Sequence, residues 1–210
     1  MSTYLEKVTA FVTRRGARGV ELLLFQHPHA GVQFPAGTVN PGEPPEQAVL
    51  RETAEETGLT AVRVVAAIGW RDELPPGATH VLLEQVGVCV HPQPDSRRWG
   101  TLNRGIALRL LRRIPGWVQV TYEETDRYTD PTYITFQVTG WVEEASLAPS
   151  ARRHFFHLEA EGAADKLPAV RTDHHTFQPF WAPLADLPEI IAPQHAWLDY
   201  VMEELGYSFG

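Results

Sequence analysis

Three glutamates, Glu52, Glu55 and Glu56, crowd beside Arg51 in the stretch "GTVNPGEPPEQAVLRETAEETGL", residues 37–59. Prolines at 44 and 45 suit the first turn of a helix, where a missing N–H costs little. The spacing predicts a helix from Pro44 to about Thr57, capped by Gly58 in the left-handed region with Leu59 folding back. At 100° per residue Glu52 and Glu56 stand one turn apart on one face, and Glu55 flanks them. Leu50, Thr53 and Thr57 point away, toward a core. Like charges one turn apart each cost roughly a few tenths of a kcal/mol in a bare helix. The dipole disfavours anions at this end as well. A divalent cation resolves both conflicts. Mg²⁺ takes hard oxygen ligands, keeps several waters, and brings the positive charge a phosphate needs. On the residues alone, a solvated acidic helix end remains the alternative.

The pattern is longer than the triplet. It runs Gly37, five residues, Glu43, seven residues, then Arg51, Glu52, Thr53, Ala54, Glu55, Glu56, Thr57, Gly58 and Leu59. This resembles the Nudix box, with every charged and glycine position matched. Thr53 departs from it, standing where a bulky aliphatic is usual; its hydroxyl can bond back to the carbonyl four residues earlier. The preceding "FPAG" is similar to the family's glycine-rich lead-in, with Ala36 in place of a glycine.

The resemblance implies metal-dependent hydrolysis of a pyrophosphate bond in a nucleoside diphosphate linked to another moiety. Nucleotide sugars, ADP-ribose, dinucleoside polyphosphates and modified nucleoside triphosphates are the classes it suggests. Glu52, Glu55 and Glu56 would be the ligands of Mg²⁺ (or Mn²⁺), and Arg51 would orient a glutamate. Gly37 would permit a sharp turn and bring backbone near the phosphates, and Glu43 would brace the junction of loop and helix. Catalysis would rest on charge stabilisation and positioning. The family often adds an acidic residue from outside the box; Glu161 is the candidate general base, with Glu159, Glu123 and Glu124 as rivals. A non-catalytic nucleotide-binding or regulatory module of the same fold is the alternative, and the intact carboxylate set favours the enzyme. Isoprenoid isomerisation would need a placed cysteine, and the single one, Cys89, sits in an apolar strand.

Around the box the chain reads as strands with few helices. "YLEKVTAFVTRR" and "VELLLFQH" form a hairpin across "GARG". "AVRVVAAIGW", "HVLLEQVGVCV", "GWVQVTYEET", "TYITFQVTGWV", "HFFHLEA" and "TFQPFWAPL" read as further strands. Two more helices are expected: one in "RGIALRLLRRIPG" and one after Pro193, with a stripe of Trp197, Leu198, Val201, Met202 and Leu205. The fold expected is an α/β/α sandwich with a mixed sheet, one Nudix-like domain over residues 1–210 with an insertion or elaboration at about 91–150.

The 210 residues carry a formal charge of −8 and are 43% hydrophobic, a composition for a packed core. That charge argues against a stable nucleic-acid partner or an anionic membrane surface, so a small anionic nucleotide needs a local cation. One cysteine excludes an intramolecular disulfide. No apolar run reaches membrane-spanning length and no signal block opens the chain, so the expectation is a cytoplasmic protein, with a homodimer compatible with the family.

The remaining features are less specific. Phe34, Trp70, Phe180 and Trp181 could stack on a base, Phe34 being taken as the substrate contact. His154, His157, His174 and His175 could touch phosphate or metal. Pro75 and Pro76 lie about sixteen residues past the box, where some ADP-ribose-cleaving relatives carry a proline; ordinary turn chemistry explains them as well. Arg97, Arg98, Arg104, Arg109, Arg112 and Arg113 read as the wet side of an amphipathic helix, with a phosphate- or nucleic-acid-contacting patch as the alternative.

Overall fold

The computed structural model describes residues 4–17, 19–126, 131–162, 166–172 and 175–206. The chain divides into two compact units, residues 6–71 with 153–210, and residues 72–152 with 1–5.

The first unit opens with β1 (Leu5–Gly16) and β2 (Gly19–His27), a hairpin in register from Thr13↔Leu22 to Gly16↔Gly19. Short strands β3 (Gly31–Gln33) and β4 (Ala36–Thr38) pair with β2 and β1 respectively. Helix α1 (Pro45–Thr57) follows, with Pro45 in its first turn and Gly58 closing it at φ 71°. β5 (Val62–Glu73) completes this half.

The second unit contributes β6 (His80–Leu82), β7 (Val86–Cys89), β8 (Arg98–Leu102), β9 (Ala107–Ile114), β10 (Trp117–Thr125), β11 (Ile134–Glu143) and β12 (Leu147–Ala148). They form a seven-stranded sheet in the order β12-β6-β9-β10-β11-β7-β8. Leu82, Val88, Leu108, Val118, Val120 and Val142 make its core. The segment expected as an elaboration at about 91–150 lies inside this unit, which begins earlier, at Asp72.

The helix expected in "RGIALRLLRRIPG" is instead strand β9, paired with β6 and β10. Its apolar residues fit two periods. Ile106, Leu108 and Leu110 alternate onto the core face, and the strand pairing on both sides decides between the readings. Arg98, Arg109, Arg112 and Arg113 thus lie on strands rather than on a helix, while Arg97 and Arg104 lie between strands. Arg109 pairs with Glu123 at 3.6 Å, Arg113 with Glu144 at 3.2 Å, and Arg112 lies over Trp141. Arg104 donates to the Leu83 carbonyl at 3.0 Å.

The chain then returns to the first unit through β13 (Ala151–Ala160), β14 (Val170–Thr172), β15 (His175–Pro183) and, after a 3-10 turn at Gln194–Trp197, helix α2 (Leu198–Glu204). The sheet order is β14-β15-β2-β1-β13-β5, with β3 and β4 off that path. Arg153 bonds Val8 and Thr9, while His157 and Leu158 bond Thr13. That nearly constant offset means β1 and β13 run the same way, whereas β1 and β2 are antiparallel. The sheet is therefore mixed.

Alternation along the strands sends side chains to two faces. Val8, Ala10, Val12, Leu23, Phe156 and Leu158 pack with Ala48 and Val49 of α1. Phe11, Leu22, Leu24 and Phe155 pack with Leu198, Val201 and Met202 of α2. One helix on each face of a mixed sheet is the expected α/β/α sandwich.

Candidate functional site

Helix α1 holds its carboxylates from below and from the side. Thr53 and Thr57 are fully buried, and each hydroxyl donates to the carbonyl one turn back, Thr53 to Val49 at 2.7 Å and Thr57 to Thr53 at 2.6 Å. These back-bonds satisfy the hydroxyls, so a threonine serves where an aliphatic would pack. With that side inward, Arg51, Glu52, Glu55 and Glu56 line the other side.

Arg51 is the hub. Its Nε and Nη2 donate to the two oxygens of Glu43, each at 2.9 Å, a planar fork on a carboxylate. Nη2 also donates to the Thr38 carbonyl at 3.1 Å, and Nη1 to Glu52 at 2.8 Å and Glu55 at 3.1 Å. Glu43 in turn accepts from the Asn40 N–H at 2.8 Å. The expected bracing of loop against helix by Glu43 takes the form of this pair of hydrogen bonds from Arg51. Glu56 takes a separate anchor, accepting the Ala36 N–H at 2.8 Å.

Gly37 stands in extended strand β4, opposite Val8 of β1, rather than at a sharp turn. A Cβ there would fall inside the Glu52 carboxylate. Its role is to leave room for Glu52. The left-handed turn of this loop belongs to Gly42, at φ 79°.

The electrostatics follow the contacts. Burial pushes the Glu52 carboxyl up from the ordinary glutamate value; Arg51 opposes this, while Glu55 and Glu43 add to it. The Arg51 guanidinium holds Glu43 below its ordinary value. A partly desolvated carboxylate with like charges around it is stabilised by an added cation. The donors are carboxylate oxygens, which fit a hard divalent ion such as Mg²⁺ or Mn²⁺. Among the described residues no three acidic, histidine or cysteine side chains close into a cage. An ion here would keep part of its water shell, as Mg²⁺ commonly does.

Other expected site residues lie elsewhere. Phe34 is fully buried, edge-on to Phe11 with centroids 4.8 Å apart, so its ring belongs to the core and not to a substrate. Trp181 is buried with the Arg14 guanidinium 4.4 Å above its ring; Trp70 keeps 54% of its surface. Glu161 is 70% exposed and faces Arg63 at 3.6 Å, where the end of β13 meets the start of β5. His157 is buried between Thr13 and Glu204, a packing position. His174 lies outside the described residues. Pro75 and Pro76 belong to the second unit, where with Ile106, Leu108 and Tyr122 they line a cleft of about 900 Å³.

The sequence did not reveal Ala36 N–H and the Thr38 carbonyl, because backbone groups carry no side-chain signature. Gln194 is another, its amide oxygen accepting the Phe34 N–H at 2.7 Å and so fixing the strand that leads into Ala36.

Comparison with known proteins gives the following likenesses. The family model of the NUDIX domain matches residues 3–102. RNA pyrophosphohydrolases of Yersinia enterocolitica and Yersinia pestis are 57% identical over 37 residues, 17% of this chain and 21% of theirs. The chain thus spans about a fifth of the length of these curated relatives. Among solved structures, a C. elegans Ap4A hydrolase aligns over 96% of this chain and 98% of its own, at 16% identity and a TM-score of 0.45. The NUDIX domain of Shewanella oneidensis NrtR, complexed with ADP ribose, aligns over 98% and 90%, at 15% identity and a TM-score of 0.42.

Proposed function

We propose, from the match of the NUDIX domain model to residues 3–102, that the chain is a Nudix-type, divalent-metal-dependent hydrolase of pyrophosphate bonds. The substrate class is a nucleoside diphosphate linked to a second moiety. The single observation that carries this reading is the Arg51 hub, which ties Glu43, Glu52 and Glu55 together beside the separately anchored Glu56.

Glu52, Glu55 and Glu56 would hold the ion. A bound divalent cation supplies charge neutralisation at phosphate oxygens and a more acidic water. The chain supplies position. Arg51 fixes the Glu52 carboxylate against Gly37, and the Ala36 N–H fixes Glu56, so neither must be ordered during the reaction. Arg51 also offsets part of the repulsion among the carboxylates before any cation binds. General-base duty at Glu161 would require it to leave Arg63.

The test is cleavage of ADP-ribose, nucleotide sugars, dinucleoside polyphosphates and oxidised nucleoside triphosphates with Mg²⁺ or Mn²⁺, the new phosphomonoester and pyrophosphate products being read after a coupled phosphatase and pyrophosphatase. Glu56→Gln should lower kcat by about 10²-fold or more through the lost ligand. Equal turnover by wild type and Glu56→Gln would remove the assignment. Nucleotide binding without turnover in the wild type would make the chain a sensor instead.

A further inference from the structure

Three imidazoles gather on the sheet face that also carries α1. His27 lies 4.9 Å from His175 and 6.1 Å from His29, centroid to centroid, and His29 lies 5.9 Å from His175. Phe177 backs them, 5.3 Å from His27 and itself stacked on Phe25 at 4.8 Å. By alternation along β2, His27 shares a face with Phe25 and Leu23, and Leu23 packs under α1. Phe177 pairs with Val170, and a Cβ on Gly58, the cap of α1, would lie 3.3 Å from Val170. The rings therefore belong to the same sheet face as Val170, which lies against the C-terminal cap of the carboxylate helix.

The proton position on His27 is settled by its neighbours. Its Nδ1 accepts two backbone N–H groups, from His29 at 3.1 Å and Ala30 at 3.0 Å. The proton must then be on Nε2, which faces away from the turn as a donor. A metal ion would need the Nε2 lone pair and would force a proton onto Nδ1, against two N–H groups. The ring can donate; it cannot ligate without breaking its own turn. His29 is exposed and His175 half-buried, so both offer further ring N–H groups at the surface.

We propose that His27, His29 and His175 form an anion subsite that takes a phosphate group of the substrate lying beyond the hydrolysed pyrophosphate. In a chain of net charge −8, such a local set of donors is what an additional phosphate requires. The catalytic meaning of the subsite rests on reading α1 as the pyrophosphate site; the binding itself does not.

The test uses the full chain with a chelator present and inorganic tripolyphosphate as the probe, followed by the ring signals of the histidines in NMR. Saturable shifts of His27, His29 and His175 are expected. His175→Phe should weaken binding by about tenfold, the loss of one such contact. Glu56→Gln should leave the titration unchanged, which separates this subsite from the hydrolytic reading. In kinetics, His175→Phe should raise KM for substrates ending in a free phosphate and leave it unchanged for those without one. If tripolyphosphate moves none of the three rings, if His175→Phe binds it as wild type does, or if Zn²⁺ and not tripolyphosphate saturates them, the proposal is overturned.

Discussion

Burial draws Glu52 toward its protonated form, while a divalent ion needs it ionised. Protons and metal therefore compete at this carboxylate over a range lying above that of an ordinary glutamate. Mn²⁺ affinity, followed by calorimetry, should fall on acidification through that raised range. In Glu52→Gln the fall should be lost from that raised range. The stability sign is opposite: a folded-state value above the unfolded one means that, without metal, stability declines as pH rises through it. Gly37 gives a second residue-level expectation. In Gly37→Ala the new methyl collides with the Glu52 carboxylate and displaces it. Activity should drop by about 10²-fold, the scale of a misplacement near 1 Å, with the circular dichroism spectrum retained. A variant as active as wild type would show that Glu52 need not sit where Arg51 holds it.

At the scale of elements, α1 ends where Gly58 takes φ 71° and returns its N–H to Ala54 at 2.9 Å. Gly58→Ala should cost roughly 1–2 kcal/mol in urea unfolding, the penalty for a side chain in that region. A midpoint unchanged from wild type would mean the cap is dispensable. This helix was legible in the sequence because its signals are local: Pro45 at the start, Gly58 at the end, threonines on the buried side. The carboxylate stripe is legible for the same reason. β9 was not, since Leu110 and Leu111 satisfy a helical period as readily as alternate positions do, and only pairing with Thr121 and Val120 across the sheet decides. Gly37 was misread for a related reason. Its constraint comes from Glu52, distant in the chain, and Phe34 is claimed by Phe11 on another strand.

At the scale of the molecule, three histidines among the described residues pull stability in one direction. His27, His80 and His157 all lie below the ordinary histidine value, each chiefly through burial. A folded-state value below the unfolded one means the unfolded chain takes the proton more readily. Their contribution is present above the unfolded value of about 6.5 and is lost as pH falls below it. The thermal midpoint should decline from neutral pH toward acid, and His157→Gln should flatten part of that slope. A flat profile in the wild type would show that these rings titrate as they do in the unfolded chain.

Asp72 and Arg152 face one another in a two-pronged ion pair, Nε to Oδ1 at 2.8 Å and Nη2 to Oδ2 at 3.1 Å. The second sheet is thus strung on a loop of chain whose two ends this ion pair holds together, and among the described residues its core is drawn from its own strands. Such a loop adds little closure entropy as it lengthens or shortens. The chain can therefore take extra residues within that loop at small entropic cost.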